Sequence, residues 1–317
     1  MTITILNGKI PEKFEVEGVM LYALPRAREQ SIFPKSVFSD NNTLFLYIPK
    51  NVRLEKPLHF LYQNNSKQYF SHHVIIANEN SELTLLEEYQ NNHAMNVTTE
   101  IYASKNARVH FAKIQNENSS ATHDASLSIH QQEESVVNVF SLSNGARSAR
   151  ELIKINLHER GAECILNGFY PLKNDEQKLD YFIDVNHHAK HTRSEMLYKG
   201  ILDKKSKSNF RGKVFVHQAA KHITAHQSNH HLLLSKEAEA GSKPELEIYA
   251  DDVKCTHGAT VGQIDPDALF YLRARGLDEK ESMKLLTAAF AADVLDRMKN
   301  NFIKNQINMT LAEYCHE

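Results

Sequence analysis

The six-residue segment NSELTL, Asn80–Leu85, recurs three times downstream in altered form, and this recurrence decides the fold. The later copies are NARVHF at Asn106–Phe111, ESVVNV at Glu134–Val139 and GAECIL at Gly161–Leu166. Each copy is apolar at its fourth and sixth positions, which is the period-2 pattern of a half-buried strand. The copies start 26, 28 and 27 residues apart. A near-constant spacing of strand segments predicts coils that stack on one another.

This spacing favours a parallel β-helix, in which each turn of the chain stacks on the last, over a β-sandwich. Strands of a sandwich usually recur at roughly 8–12 residues. The 11 glycines in 317 residues are also few for a protein built from tight hairpins. The pattern weakens after Gly161, where KNDEQK (Lys173–Lys178) and KKSKS (Lys204–Ser208) have the composition of solvated turns. We therefore expect the repeat to fade beyond Gly161.

The pattern divides the chain into three regions. They are a short N-terminal segment over residues 1–40, a β-helix domain over 41–262 and a C-terminal helical domain over 263–317. Asp265 followed by Pro266 predicts a helix start, and Gly276 predicts the end of that helix. Asp278 with Glu281 resembles a capping box.

The apolar residues over 283–298 form a stripe that is wider than one helix face needs. Two interpretations fit this width. The stripe packs as core against the end of the β-helix, or it forms a docking surface for another protein.

Composition excludes several classes of function. With 41% hydrophobic and 24% charged residues, a formal charge of −2 and a pI near 6.8, no whole-molecule field favours nucleic acid or an anionic membrane. The longest purely apolar runs have five residues, against the roughly 20 that a bilayer crossing needs. The N-terminus shows no secretory pattern of a basic region followed by an apolar one. No GxSxG, P-loop or GxGxxG motif occurs.

Three widely spaced cysteines, Cys164, Cys255 and Cys315, argue against a disulfide framework and favour a reducing, cytoplasmic compartment. A cluster held by one chain usually takes about four thiolates. Any iron–sulfur role of this chain is therefore expected to be transient or shared with another subunit.

The stretch ADDVKCTHGATVG, residues 250–262, carries a Cys–x–His pair. The apolar phase changes at Asp251 and Asp252, which predicts a corner between two strands. On an extended segment Cys255 and His257 point the same way, about 7 Å apart along the strand. They could face one metal ion that other ligands complete. The alternative is a buried thiol that packs beside a hydrogen-bonded histidine.

Histidine is abundant, with 18 residues. A cluster between residues 217 and 231 lacks the spacing of a helical HExxH site; its members are His217, His222, His226, His230 and His231. On a β-solenoid such residues are expected to form exposed polar rows, with a metal role as the second interpretation.

The segment ADDVKCTHGATVGQIDPDALFYLRARGLDEKES, Ala250–Ser282, closely resembles the C-terminal signature of the SufB/SufD family of iron–sulfur cluster assembly proteins. Three upstream segments resemble the same family: Ile223–Ser235, Asp184–Gly200 and Leu44–Phe60. Between the two branches, KCTHGAT is closer to the D branch. Many D-type members carry a long N-terminal helical region, for which residues 1–40 are too short.

The resemblance implies a right-handed parallel β-helix followed by a helical C-terminal domain. It implies a non-catalytic scaffold subunit that pairs with a B-type paralogue through the C-terminal end of the β-helix and binds a C-type ATPase through its C-terminal helices; a homodimer is possible when the chain is alone. His257, with Cys255 beside it, would contribute to iron acquisition and to a nascent iron–sulfur cluster shared across the B–D interface. The residues expected to contact partners are Phe270, Tyr271, Leu272, Arg273, Arg275, Gly276, Leu286 and Phe290.

Two alternatives compete with this interpretation. One is a β-helix enzyme that acts on polysaccharide, although the sequence places no two carboxylates opposite each other. The other is a histidine-rich structural solenoid that binds metal.

Overall fold

The structure is a computed structural model, which describes residues 2–6, 13–16, 19–23, 43–64, 68–298 and 300–315. The strands are β1 (Thr2–Leu6), β2 (Lys13–Val16), β3 (Val19–Ala23), β4 (Thr43–Ile48), β5 (Leu58–Asn64), β6 (Gln68–Ala77), β7 (Glu82–Asn91), β8 (Ala94–Ala103), β9 (Arg108–Gln115), β10 (Thr122–Gln131), β11 (Val136–Ser143), β12 (Ser148–Leu157), β13 (Glu163–Leu172), β14 (Lys178–His187), β15 (Arg193–Leu202), β16 (Lys207–Val216), β17 (Thr224–Leu233), β18 (Glu239–Ile248) and β19 (Lys254–Gln263). The helices are α1 (Pro266–Ala274), α2 (Glu279–Leu295) and α3 (Asn301–Cys315). Of the N-terminal segment 1–40, only β1, β2 and β3 are described, and the rest lies outside the described residues.

Two sheets run side by side along the molecule. From β4 to β19 the chain alternates between them, so that each coil adds one strand to each sheet. The nine-stranded sheet has the order β1-β5-β7-β9-β11-β13-β15-β17-β19, and the ten-stranded sheet has the order β18-β16-β14-β12-β10-β8-β6-β4-β3-β2. Among the described strands, β2–β3 and β3–β4 are antiparallel, and the pairs from β4 onward are parallel. The predicted parallel β-helix with a small C-terminal helical part is confirmed.

The predicted register is also confirmed. Leu83 pairs with Val109, Val109 with Val137 and Val137 with Cys164, and these side chains lie in the core with at most 1% exposure. The parallel column of Leu85, Phe111, Val139 and Leu166 behaves in the same way.

The expected fading of the repeat after Gly161 is wrong. Cys164 continues in register to Ser194, Ala225 and Cys255. The coils persist, but inward positions such as Ser194 become polar, so the apolar signal disappears while the backbone geometry stays. KNDEQK and KKSKS are turns between strands, as their composition predicted.

One corner of the solenoid is a stack of residues in the left-handed backbone region. Asn51, Asn80 and Asn106 have φ values of 62°, 57° and 56°, a conformation that asparagine tolerates better than most residues. Their side chains form a ladder, since Asn80 Nδ2 donates to Asn51 Oδ1 at 2.9 Å and Asn106 Nδ2 donates to Asn80 Oδ1 at 3.0 Å. The stack continues through Glu134, Gly161, His191, His222 and Asp252. Stacked corners explain how a chain with few glycines turns so often, and Asp252 confirms the corner predicted before β19.

The C-terminal helices lie along the outer face of the nine-stranded sheet. Ala291 and Val294 of α2 and Ile307 of α3 are buried in an apolar cluster with outward residues of the sheet; those residues are Leu86, Ala112, Ile114, Phe140, Leu142, Phe169, Leu197, Ile201 and Leu232. The interpretation that the helical stripe packs against the end of the β-helix is therefore wrong, because its buried side covers the flank of the solenoid.

The predicted helix signals are confirmed. Asp265 caps α1, with its Oδ1 accepting from the Asp267 N–H at 2.9 Å, and Pro266 is the first helical residue. Asp278 and Glu281 form a reciprocal capping box at the start of α2. Gly276, with φ of 97°, lies between the two helices. None of the helices in the described residues is long and apolar enough to cross a membrane.

Candidate functional site

The last coil leaves one end of the solenoid open. β19 is the last strand of the nine-stranded sheet and β18 is the last strand of the ten-stranded sheet at the same end. In the part of the chain that the structure describes, neither strand has a neighbour on its outer side. β18 and β19 contain no buried residue, whereas every preceding strand from β7 to β17 contains several. Ile248 and Tyr249 at the end of β18 are 39% and 61% exposed.

Cys255 and His257 lie on this open end, on the inward side of β19. Cys255 is in register with buried Ala225, and His257 is in register with Gln227, which is fully buried. Because alternate residues of a strand share a face, both side chains point toward the core axis and lie about 7 Å apart along the strand. Cys255 is half-buried against the core, and His257 is exposed. The pair is neither sealed inside the solenoid nor loose on its outer wall.

A layer of polar side chains from β17 lies directly beneath the open end. Gln227 Nε2 donates to the Gly212 carbonyl at 3.0 Å. The Tyr170 hydroxyl accepts from Asn229 Nδ2 at 2.9 Å and lies 2.9 Å from His231 Nε2. Burial lowers the pKa of His231 to about 4, so the imidazole is neutral near pH 7 and the Tyr170 hydroxyl can donate to it. These bonds give the site a fixed polar floor.

The electrostatics of Cys255 keep its thiol protonated until a ligand arrives. Partial burial raises the pKa of Cys255, and a hydrogen bond from the Ala225 backbone opposes that shift only in part. A thiol with a raised pKa is a poor free nucleophile, but it ionises when it coordinates a metal ion.

Thiolate and imidazole are donors that suit iron and zinc. Across the residues that the structure describes, no three His, Cys, Asp or Glu side chains converge on one point. Cys255 and His257 could therefore supply two ligands at most, and a metal ion or cluster held there would need donors from outside this set.

The residues expected to contact partners are spread over α1 and α2. None of the nine residues of α1 is buried, and Phe270 and Tyr271 are 73% and 56% exposed. The Arg275 guanidinium lies 5.1 Å from the centre of the Tyr271 ring, and Arg273 forms an ion pair with Glu279 at 3.4 Å. Leu272 and Leu286 are half-buried.

Phe290 of α2 makes its contacts within the chain. The Lys199 ammonium lies 4.6 Å from the centre of its ring and donates to its carbonyl at 3.0 Å. Phe290 also packs against the cluster under the helices. The structure thus separates the predicted set into an accessible aromatic pair on α1 and a residue that anchors α2.

The histidines between 217 and 231 do not behave alike. His226 and His230 lie on the outer face of β17, where their Nδ1 atoms meet Thr256 and Thr260 of β19 at 2.6 Å and 2.8 Å. His231 is buried beneath the open end, so the expectation of exposed rows is wrong for that residue.

Sequence reasoning missed a buried ionic network inside the first half of the solenoid. Glu87 pairs with His73 at 2.8 Å and Lys113 pairs with Glu151 at 2.5 Å, all at most 7% exposed. Burial by itself raises the pKa of Glu87, but the charge and hydrogen bond of His73 hold it below its ordinary value. Strand parity could have found it, since Glu87 has the parity of inward Leu85.

Comparison with known proteins identifies the closest matching type of domain. Residues 60–290 match the family described as SUF system FeS cluster assembly, SufBD core domain. An iron–sulfur cluster assembly SufBD family protein of Synechocystis is 31% identical over 284 residues, covering 83% of this chain and 62% of the relative. The iron–sulfur cluster assembly protein SufD of Escherichia coli is 31% identical over 244 residues, covering 75% and 57%. SufD of Bacillus subtilis is 27% identical over 286 residues, covering 84% and 63%. The chain thus matches about three fifths of the length of these relatives.

Proposed function

The chain belongs to the SufBD family of iron–sulfur cluster assembly proteins, and we propose that it acts as a non-catalytic scaffold subunit of a SUF assembly complex. In this proposal the open end pairs with a B-type paralogue, the helices bind a C-type ATPase that hydrolyses ATP, and a nascent cluster forms at the paired ends. The observation that carries the proposal is the position of Cys255 and His257, inward-facing on the outermost strand of the solenoid.

The edge of β19 supports pairing by continuation of the sheet. The Lys254 N–H donates to the Ile223 carbonyl at 2.8 Å, toward β17. Because backbone directions alternate along a strand, the N–H groups of Cys255, His257 and Ala259 point to the open edge. A ten-residue edge with an inward apolar lining is a surface that another solenoid end could extend, and its cover would bury Cys255 and His257.

A shared site also fits the chemistry. One thiol and one imidazole leave the coordination of iron incomplete, so the paralogue would supply the remaining donors. Iron and sulfide are the cargo of this site. His257, which is exposed before pairing, would contribute to iron acquisition, and Cys255 would ionise on binding.

The helices support a second contact. Phe270 and Tyr271 expose two aromatic rings beside Arg273 and Arg275, a composition enriched at protein interfaces. ATP-driven motion of the bound ATPase would reach the open end through the helices, which pack on the flank of the same sheet that ends in β19. We place the complex in the cytoplasm, since Cys164 and Cys255 are free thiols that a reducing compartment preserves.

The test is co-expression of the chain with a B-type paralogue and a C-type ATPase. His257→Ala should co-purify with both partners and form no cluster, as measured by visible absorption after anaerobic reconstitution. Thr256→Ala is the matched control, because Thr256 lies on the opposite face of the same strand. Normal cluster formation by His257→Ala would contradict the site.

Two further variants separate the contacts. Ala259→Pro removes an outward N–H while leaving the bonds to β17, so it should abolish pairing with the paralogue but not folding, and Ala259→Val is its control. Phe270→Ala with Tyr271→Ala should release the ATPase alone. Retention of the paralogue by Ala259→Pro would overturn pairing through this edge.

A further inference from the structure

Four histidines form a file on the outside of the ten-stranded sheet. His130 lies on β10, and His158, His188 and His217 directly follow β12, β14 and β16. Consecutive rings have centroid distances of 5.3, 5.0 and 4.2 Å, with planes inclined by 8°, 17° and 25°. This set of side chains is called the imidazole file below.

The register of the coils creates the file. The pairings Leu157–His187 and His187–Val216 place His158, His188 and His217 beside one another as the chain leaves each strand. His130 approaches from the neighbouring coil, with its Nδ1 at 3.0 Å from His158 Nε2. The four residues are 28, 30 and 29 positions apart. This is the spacing of the repeat itself, so the sequence carried a signal for them.

The imidazoles are in the form that binds metal ions. Burial and the neighbouring charge of His158 lower the pKa of His130, and burial lowers that of His158. Burial together with the charge of His217 lowers the pKa of His188 to about 4. Near pH 7 these rings are neutral, and each neutral ring offers one nitrogen lone pair without competition from a proton.

We propose that the imidazole file is an exchangeable binding surface for divalent first-row transition metal ions. Two imidazole nitrogens that each lie about 2.0–2.1 Å from one metal ion are separated by about 3.0–3.4 Å at right-angled to tetrahedral geometry. The His130–His158 nitrogens are already 3.0 Å apart, and the rings of His188 and His217 are the closest pair of the file. Neutral imidazole suits nickel, copper, zinc and iron.

The coordination would be completed by solvent. No three ligand side chains meet at one point anywhere in the described ranges, so each ion is held by adjacent pairs of rings and exchanges readily. Partial exposure of the file gives ions access. The contrasting pair is His191 and His222, whose rings stack at 4.8 Å but where Asp252 already occupies His222 Nδ1 at 2.7 Å.

This surface is distinct from the proposed cluster site. The file lies on the outer face of the ten-stranded sheet, whereas Cys255 and His257 face inward on the nine-stranded sheet. The inference therefore goes beyond the proposed function, and either can fail without the other.

The test is calorimetric titration of the untagged full chain with NiCl₂ and with ZnCl₂ at pH 7.5. The wild-type chain should bind Ni²⁺, and the double variant His158→Gln, His188→Gln should bind at least roughly tenfold more weakly, since each adjacent pair loses a ligand. The matched control is His226→Gln with His230→Gln, which removes the same number of histidines from the other sheet and should leave the affinity unchanged.

A second measurement keeps the inference testable even if the double variant does not fold. With one equivalent of Cu²⁺, the electron paramagnetic resonance spectrum of the wild-type chain should show hyperfine coupling to two imidazole nitrogens. Absence of binding by the wild type, an equal loss in the control variant, or a spectrum with fewer than two imidazole nitrogens would each overturn the proposal.

Discussion

Leu166 and His257 stand in one inward column of the nine-stranded sheet, three coils apart, joined through Met196 and Gln227. The column is closed over Leu166, which is fully buried, and open over His257, which is exposed. Backbone register directs both side chains toward the same axis. What differs is whether a further coil covers them, so the same structural position is core in the middle of the solenoid and a candidate site at its end.

The largest expected difference within this column is in stability. Leu166→Ala should lower the free energy of unfolding by about 2–5 kcal/mol, because it removes buried methyl groups and leaves a cavity. His257→Ala should change it by less than about 0.5 kcal/mol, because nothing packs over the ring. Urea unfolding of the isolated chain measures both. Similar losses for the two variants would mean that the open end is closed by the chain itself.

The two cysteines provide the next comparison. Cys164 and Cys255 lie in one column, but burial raises the pKa of Cys164 far more and leaves its sulfur inaccessible. Iodoacetamide should modify Cys255 at least about a hundredfold faster than Cys164 in the folded chain. The measurement is mass spectrometry of a Cys315→Ser background, with Cys255→Ser as the control.

Pairing sharpens this prediction. If the open end binds a paralogue, Cys255 should become protected in the complex while Cys164 stays unreactive. Equal labelling of Cys255 in the free chain and in the complex would exclude the end as the interface.

The smallest expected effect concerns acid. His187 is buried, with its two nitrogens at 2.8 Å from Thr192 Oγ1 and 2.9 Å from Ser194 Oγ, and burial lowers its pKa to about 3. The unfolded chain takes up a proton there below about pH 6.5, whereas the folded chain does not. Stability should therefore fall as the pH drops from about 6.5 toward 3, by up to about 1.4 kcal/mol per pH unit for this site.

Comparison of wild-type and His187→Gln chains in urea at several pH values isolates that contribution. The variant should be less stable at pH 7 and should show a shallower loss of stability toward acid. Identical slopes would show that His187 does not set the acid sensitivity of the middle coils.

The fold was predictable where inward side chains are apolar. Period-2 patterning and a spacing of 26–28 residues identified the coils from Asn80 to Leu166 with the register that the structure has. The method failed beyond Gly161, because its signal is the contrast between apolar and polar residues. Polar Ser194 and Gln227 occupy inward positions there and remove that contrast, although the backbone repeats unchanged.

The candidate site was predictable only in part. The parity of Cys255 and His257 showed that they share a face, and the corner at Asp252 showed where the strand begins. Their exposure was not predictable, since a buried thiol–histidine pair has the same sequence pattern as one at an open end. The helical stripe was ambiguous for the same reason, because its width does not say which surface it covers.

By itself, the sequence determined the periodic quantities: strand parity, coil length, helix caps and the recurrence of histidines at the length of a coil. Only the tertiary structure decided which positions are covered, namely that α2 and α3 lie along the flank and that β19 is left as an edge. The physical reason is that local patterning fixes the direction of each side chain, whereas burial depends on which distant segment packs over it.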